Sequence, residues 1–277
     1  MKDKHHTLSP ARREYLKQQK RERALIHGWQ AGIVVFFFVI WEIAAQLNWI
    51  DPFIFSQPSR ILSTLAHFSE NHLLLHIGVT LYETIIGFLL GVLLGLVLAV
   101  LFWWSALIAR IAEPYLVVLN SLPKIALGPV IIMIAGAGTG AIIFMALAIS
   151  LIVTVLEMLS GFLRTDPEAI KMARTFGATR KQVFQKIVFP ANLDTLFNSL
   201  KINIGLSLVG VIAGEFLVSK AGLGYLIVYG GQVFRMDLVM TGVLVLSILA
   251  ALMYQSVTFL QHIVHRHFGK GSDEMKP

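Results

Sequence analysis

The stretch Arg164–Pro190 reads "RTDPEAIKMARTFGATRKQVFQKIVFP" and lies between two long apolar segments. Asp166 suits a helix N-cap, with Pro167 at the first helical position and Glu168 in the first turn. Ile170, Ala173 and Phe176 then fall on one face, and Gly177 suits a left-handed stop. Thr179 with Gln182 three residues later has the form of a capping box, so a second helix starts at once. Val183, Phe184, Ile187 and Val188 supply its apolar side, and Pro190 opens the next apolar segment. The pattern predicts a short helix, a tight turn and a second short helix, both too charged to enter lipid. Two readings stand. It is a linker resting on headgroups, its lysines drawn to anionic lipid, or it is a docking surface for a cytoplasmic partner.

The rest of the chain puts that stretch beside a membrane. Of 277 residues, 56% are hydrophobic and only 14% are charged, against about a quarter charged in a soluble domain. Too little polar surface remains to cover a globule in water. The net charge of +7 does not point to nucleic acid, because of where the charge sits. Lys2, Lys4, Arg12, Arg13, Lys17, Lys20, Arg21 and Arg23 crowd the N-terminus, and six more basic residues lie between Arg164 and Lys186. That bias is a topology signal. The chain has no cysteine, which excludes disulfides, thiolate metal sites and a cysteine nucleophile. The N-terminal tail is too long and too charged for a signal peptide, so the apolar run from Trp29 is read as a retained anchor.

A membrane helix needs roughly 20 apolar residues. Candidate spans are about 28–47, 76–103, 112–136, 139–163, 191–217 and 237–263. An even number places both termini on one side, and the positive-inside bias makes that side cytoplasmic. The opposite side then holds only Arg60, Lys220 and Arg235. The expected layout is a basic cytoplasmic tail at 1–27, a six-span domain at 28–263 with the loop at about 164–190, and a cytoplasmic tail at 264–277.

Several spans carry marks of their own. In "GFLLGVLLGLVLAV" (87–100), Gly87, Gly91, Gly95 and Ala99 put small residues on one face, which is a packing signal. The third span, "EPYLVVLNSLPKIALGPVIIMIAGAG" (113–138), contains Pro114, Pro123 and Pro129. Each interior proline removes a backbone hydrogen bond, so this span either lines a path or is a kinked packing helix. Lys124, Glu157, Lys201 and Glu215 are intramembrane charges, which face a cavity or a mate. Lys124 either attracts an anionic solute or pairs with an acid, Lys201 snorkels toward the inner leaflet, and Glu215 suits gating or structural pairing. His262, His265 and His267 read as solvated tail, and no metal site is expected.

Three separated motifs carry a resemblance. Ala173, Gly177, Ala178, Ile187 and Phe189-Pro190 resemble the cytoplasmic loop of ABC importer permeases, in which a glycine precedes a hydrophobic residue by nine intervening positions and a Leu-Pro follows. "LNSLPKIALGPVIIMIAGAG" (119–138) and "GEFLVSKAGLGYLI" (214–227) resemble the third- and fifth-span signatures of the branch importing nitrate, sulfonates and taurine. The chain departs from that pattern at Lys171 and Glu83, where relatives usually carry an acid and a base, and at "IAGAGTG", where they often carry Trp-Phe-Gly; Glu168 lies one turn before Lys171. The resemblance implies an all-α membrane protein, a type I ABC importer permease with six transmembrane helices and cytoplasmic coupling helices, in a bacterial inner membrane. It implies two ABC ATPase subunits that bind ATP and Mg²⁺, a second and identical permease subunit, and an extracytoplasmic solute-binding protein, with no cofactor in this chain. Glu168, Lys171, Ala173, Gly177, Ala178, Ile187 and Pro190 would couple to the ATPase, and Pro123, Lys124, Pro129 and Glu215 would belong to the pathway or its gate. The solute would be a small anion such as a sulfonate, taurine or nitrate, or alternatively a pyrimidine-type vitamin precursor.

Rival classes explain fewer residues. The chain lacks the GxxxxGK[ST] phosphate loop, so any ATP must be used by a partner. A secondary transporter would need its own relay of acids or histidines through the spans. A membrane enzyme would need a nucleophile–base constellation or an HExxH, and neither is present.

Overall fold

The computed structural model describes residues 10–67 and 72–268, and every regular element within them is helical. The chain divides into two compact units, residues 1–66 and 67–277.

In the first unit, α1 (Pro10–Gln46) is one unbroken helix. The described part of the expected basic tail, residues 10–27, is therefore helical and continuous with the first span, while residues 1–9 lie outside the described residues. Two short helices follow, α2 (Pro52–Phe55) and α3 (Pro58–Ala66). Asp51 caps α2 by accepting from the Phe53 amide at 2.8 Å. Glu42, near the end of α1, accepts from the Ser59 amide at 3.0 Å and from Gln46 Nε2 at 2.9 Å. That carboxylate fixes where the chain turns back.

The second unit is built on α4 (Leu73–Trp104), α7 (Thr139–Leu163) and α11 (Leu193–Val218). The small-residue stripe decides how α4 and α7 meet. A Cβ on Gly87 would lie 2.6 Å from Ala146 Cβ, one on Gly95 2.7 Å from Thr154 Cβ, and one on Gly91 would overlap the Ser150 hydroxyl. The contacts advance together along both helices, so α4 and α7 run parallel with their backbones nearly touching. In lipid such close packing replaces the hydrophobic drive of a soluble core. On the other side of α7, α11 runs antiparallel: Gly210 abuts Ala146 and Gly214 abuts Ile142. Polar groups fasten the same pair. Asn203 Nδ2 donates to Thr154 Oγ1 at 3.0 Å, and Asn192 Nδ2 donates to Thr165 Oγ1 at 2.8 Å.

The third apolar segment is broken. α5 (Ala106–Ser121) and the run of a 3₁₀ turn (Lys124–Leu127) and α6 (Gly128–Ala135) are bent by 85°. Of the three prolines, only Pro123 stands at the break. Pro114 stays inside α5, and Pro129 occupies the first turn of α6, where the missing N–H removes no helical bond. α12 (Leu223–Gln232) is a helix that the sequence pattern did not give, and it folds back along α13 (Met236–Phe268). Close contacts of Gly242 with Ile227 and of Gly230 with Val239 lock that hairpin. α13 runs past the expected tail boundary: residues 264–268 are still helical, and 269–277 lie outside the described residues. Among the described residues, five helices are long and apolar enough to cross a membrane, and the bent pair makes a sixth candidate.

Candidate functional site

The Arg164–Pro190 stretch forms as its sequence dictates. Asp166 Oδ1 accepts from the Glu168 amide at 2.9 Å and starts α8 (Pro167–Thr175). Gly177 ends it with φ of 80°. The Gly177 amide donates to Arg174 O at 2.9 Å, and the Ala178 amide to Ala173 O at 3.0 Å. This is a Schellman stop, which needs the left-handed residue that glycine supplies without strain. The Thr179–Gln182 capping box is present in both directions, with Thr179 N to Gln182 Oε1 at 2.8 Å and Gln182 N to Thr179 Oγ1 at 3.3 Å. α9 (Arg180–Val183) then widens into a π turn (Phe184–Val188) before α10 (Phe189–Ala191). Pro190 offers no N–H to Lys186 O and its ring would strike that carbonyl, so the wider turn relieves a conflict of the proline's own making.

One side of this segment is welded to the bundle. Val183 and Val188 are fully buried against Ala99 of α4 and Met158, Leu159 and Phe162 of α7. Phe184 packs on Trp103 at 5.0 Å between ring centres and edge-on to Phe162 at 5.4 Å. The other side is open. Phe176, expected on the apolar face with Ile170 and Ala173, instead projects outward at 83% exposure, and Met172 is 61% exposed. At 3.6 residues per turn, position 176 lies about 120° round the helix from Ile170 and so falls outside the face that Ile170 and Ala173 share. Phe176, Ala173, Gly177, Ala178, Lys186 and Ile187 border a cavity of about 280 Å³. Glu168 and Lys171 are both exposed and make no ion pair with each other.

The expected pathway residues fall in two places. Pro123 and Lys124 sit at the break in the third segment, and Pro129 just beyond it. Lys124 does not pair with an acid: its Nζ donates to Asn120 O at 3.0 Å, capping the free carbonyls at the end of α5. Glu215 lies elsewhere, at the end of α11, and is 1% exposed. Its Oε1 accepts from Thr80 Oγ1 at 2.6 Å, and its Oε2 from the Gly224 amide at 2.5 Å. Thr80 in turn accepts from the Leu223 amide at 2.7 Å, and His76 Nδ1 from the Gly222 amide at 3.0 Å. The "GLG" turn (222–224) is thus pinned on α4 through His76 and Thr80 and on α11 through Glu215. Gly222 has φ of 116°, and a Cβ there or on Gly224 would run into the Glu215 carboxylate. Beside Glu215 lies Glu83, a fully buried neighbour that the sequence pattern gave no reason to place there.

Of the other intramembrane charges, Lys201 has local partners, whereas Glu157 Oε2 is buried without one. Lys201 Nζ donates to Gln261 Oε1 at 2.7 Å and lies 5.6 Å from the Tyr254 ring. Gln261 and His265 both reach Asp194 Oδ1, at 3.2 and 2.8 Å, so His265 ties α13 to the start of α11 and is not a free tail residue. Glu157 borders a polar cavity of about 520 Å³ with Arg164, Asn192, Asn198 and Ser199.

A spine of close-packed apolar helices, a capped helix–glycine–helix welded to one end and a glycine turn pinned at the other describe a membrane transport subunit. The model of the family "binding-protein-dependent transport system inner membrane component" matches residues 91–270, and the chain belongs to that family. It is an ABC importer permease. The chain is 31% identical over 232 residues to a probable ABC transporter permease protein of Haemophilus influenzae, covering 83% of this chain and 94% of that one. It is 26% identical over 226 residues to the formylaminopyrimidine transport permease ThiX of Halalkalibacterium halodurans (82% and 90% covered). It is 25% identical over 237 residues to the taurine transport system permease TauC of Escherichia coli (83% and 86%). Among solved structures, an inward-facing MetNI methionine ABC transporter superposes with a TM-score of 0.63 at 22% identity, over 69% of this chain and 95% of that chain.

Proposed function

We propose that this permease pairs with a second copy of itself, receives a small anionic solute such as a sulfonate, taurine or nitrate from an extracytoplasmic binding protein, and is driven by two ATPase subunits seated on residues 166–189. The observation that carries the reading is the two-sidedness of that segment. Val183 and Val188 fasten it to α4 and α7, while Phe176 and Met172 stand exposed beside an open cavity. An amphipathic helix with one free apolar edge fits a groove in a partner. Glu168, Lys171, Ala173, Gly177, Ala178, Ile187 and Pro190 shape or border that edge. Movement of the groove on ATP binding would reach α7 and α11 directly, since the segment joins them. Pro123, Lys124 and Pro129 would lie along the pathway at its bend, and Glu215 would act at the gate. With both termini cytoplasmic, the 166–189 segment faces the ATPase and the 219–224 turn faces the binding protein. This chain carries out no covalent chemistry, and ATP with Mg²⁺ is bound by the partner.

The test is site-specific crosslinking in membranes, with Phe176→Cys against single cysteines on the co-expressed ATPase. A crosslink that forms and is modulated by ATP is expected. Attachment to lipid alone, with uptake independent of ATP, would overturn the reading. A pyrimidine-type solute is the second reading, favoured by ThiX, whose identity to this chain equals that of the taurine relative within a percentage point. Calorimetric titration of the cognate binding protein with taurine, nitrate and formylaminopyrimidine separates the two.

A further inference from the structure

Among the described residues, no Lys or Arg side chain balances the buried carboxylates Glu83 and Glu215. Glu83 is 0% exposed and Glu215 1%. Glu215 accepts from the Thr80 hydroxyl and the Gly224 amide, and the Tyr225 amide is also directed at it. Neither oxygen of Glu83 has a partner at full hydrogen-bond distance and angle, although the Thr139 hydroxyl and the Glu215 carboxyl lie beside it. The groups around the pair come from every element packed on it. α4 contributes His76, α7 Thr139, α11 Glu215 itself, and α12 Tyr225, which stacks on His76 at 5.8 Å. His76 uses Nδ1 as an acceptor for the Gly222 amide, so its ring carries no proton on that nitrogen and supplies no positive charge. His72, the next histidine, caps the start of α4, and Lys220 in the neighbouring loop is exposed. No Lys or Arg of the described residues pairs with either acid. Two like charges out of water and in contact would repel strongly, and an uncompensated buried charge does not persist.

We propose that Glu83 and Glu215 together hold one monovalent cation, a proton or a sodium-sized ion, that joins α4 to α11 and keeps the 222–224 turn closed. The unpartnered oxygens of Glu83 supply one half of the site. Glu215, held in place by Thr80 and Gly224, supplies the other, and Thr139 brings the start of α7 to the same point. Losing the cation leaves two negative groups pressing α4 and α11 apart at this end, so occupancy sets how firmly the turn is latched. The site is independent of which solute is carried and of the ATPase interface.

The test uses the full chain in lipid nanodiscs. Its thermal unfolding is followed in tenfold steps of sodium at constant ionic strength with choline as replacement, and separately across pH without sodium. The melting temperature of the unaltered chain should fall by roughly 3 °C for each tenfold loss of the bound cation. Glu83→Gln, which carries its own donor and no charge, should flatten that response. Glu83→Met should do the same by removing the second charge, leaving Glu215 with its donors. A protonated-carboxyl band in the infrared that disappears in Glu83→Gln identifies the cation as a proton. Sodium dependence without that band identifies it as a metal ion. Equal responses in the unaltered chain and both variants, or no response to either cation, overturn the proposal. If neither variant accumulates, absence of both the band and a sodium response in the unaltered chain overturns it, and either signal supports it.

Discussion

The Arg180 guanidinium lies 5.4 Å from the centre of the Trp103 ring and donates through Nη2 to the carbonyl of the same tryptophan at 3.1 Å. One residue of the 166–189 segment therefore grips the last turn of α4, with Trp104 a further 6.0 Å ring contact. The sequence reading joined that segment to the fourth and fifth spans alone. Arg180, with Phe184 and Val183, extends the connection to the second.

Arg180→Ala should loosen this grip by on the order of 1 kcal/mol. The expected result is several-fold slower uptake with ATP hydrolysis retained. Arg180→Lys should recover part of the loss, since it keeps the charge over the ring but not the planar fork. Parallel uptake and hydrolysis assays in proteoliposomes check both. Equal loss of the two activities would mean the residue serves folding only.

Gly177→Val should uncouple hydrolysis from uptake while the chain still inserts normally. Nothing lies within 4 Å of a Cβ at this position, so the effect is backbone strain alone. A β-branched residue at φ near +80° costs about 1–2 kcal/mol or more, which is enough to refold the turn between α8 and α9. Gly177→Asn tolerates that backbone better and should be milder. Normal coupling in Gly177→Val would show the turn geometry to be unimportant.

Gly91→Val should prevent accumulation of folded chain, because its side chain would occupy the space of the Ser150 hydroxyl and force α4 from α7. Gly78→Val on the same helix has open space and serves as the control. Size-exclusion profiles of the detergent-extracted chains distinguish them: a monodisperse Gly91→Val would contradict the packing described.

Gly222→Ala should free the turn that Glu215 holds. The methyl group meets the carboxylate and the residue is left at φ of 116°. Hydrogen exchange at the Leu223 and Gly224 amides should rise roughly tenfold or more, equivalent to a loss of about 1.4 kcal/mol. Unchanged protection at those amides would place the anchor elsewhere.

How much of this was legible depended on the range of the signal. The Asp166 cap, the Gly177 stop and the Thr179–Gln182 box are each written within four residues, and all three formed as read. The glycine stripe was legible as a packing face, though nothing in it named α7 as the partner. Pro123, Pro114 and Pro129 looked alike in sequence, yet only the first breaks its helix, because the other two fall where the helix tolerates or no longer needs the bond. Glu83 and Glu215 meet through the fold alone, so the contact had no local trace. α12 escaped notice because its ten residues are too few to span and follow a glycine-rich turn. Phe176 looked apolar and therefore inward, but six residues after Ile170 it has moved about 120° round the helix, off the face that packs.

Ala146 of α7 sits between two helices, touched by Gly87 of α4 on one flank and Gly210 of α11 on the other. It makes a natural fulcrum for α11, and an unequal one. From that point α11 extends about 26 Å toward Leu193 but only about 12 Å toward Val218, at 1.5 Å per residue. Tilted as a rigid beam, the helix would swing its Val218 tip about half as far as the end that joins the Arg164–Pro190 stretch, in the reverse direction. Such a lever would be geared down: a broad stroke at the Leu193 end would become a short one at the Val218 end.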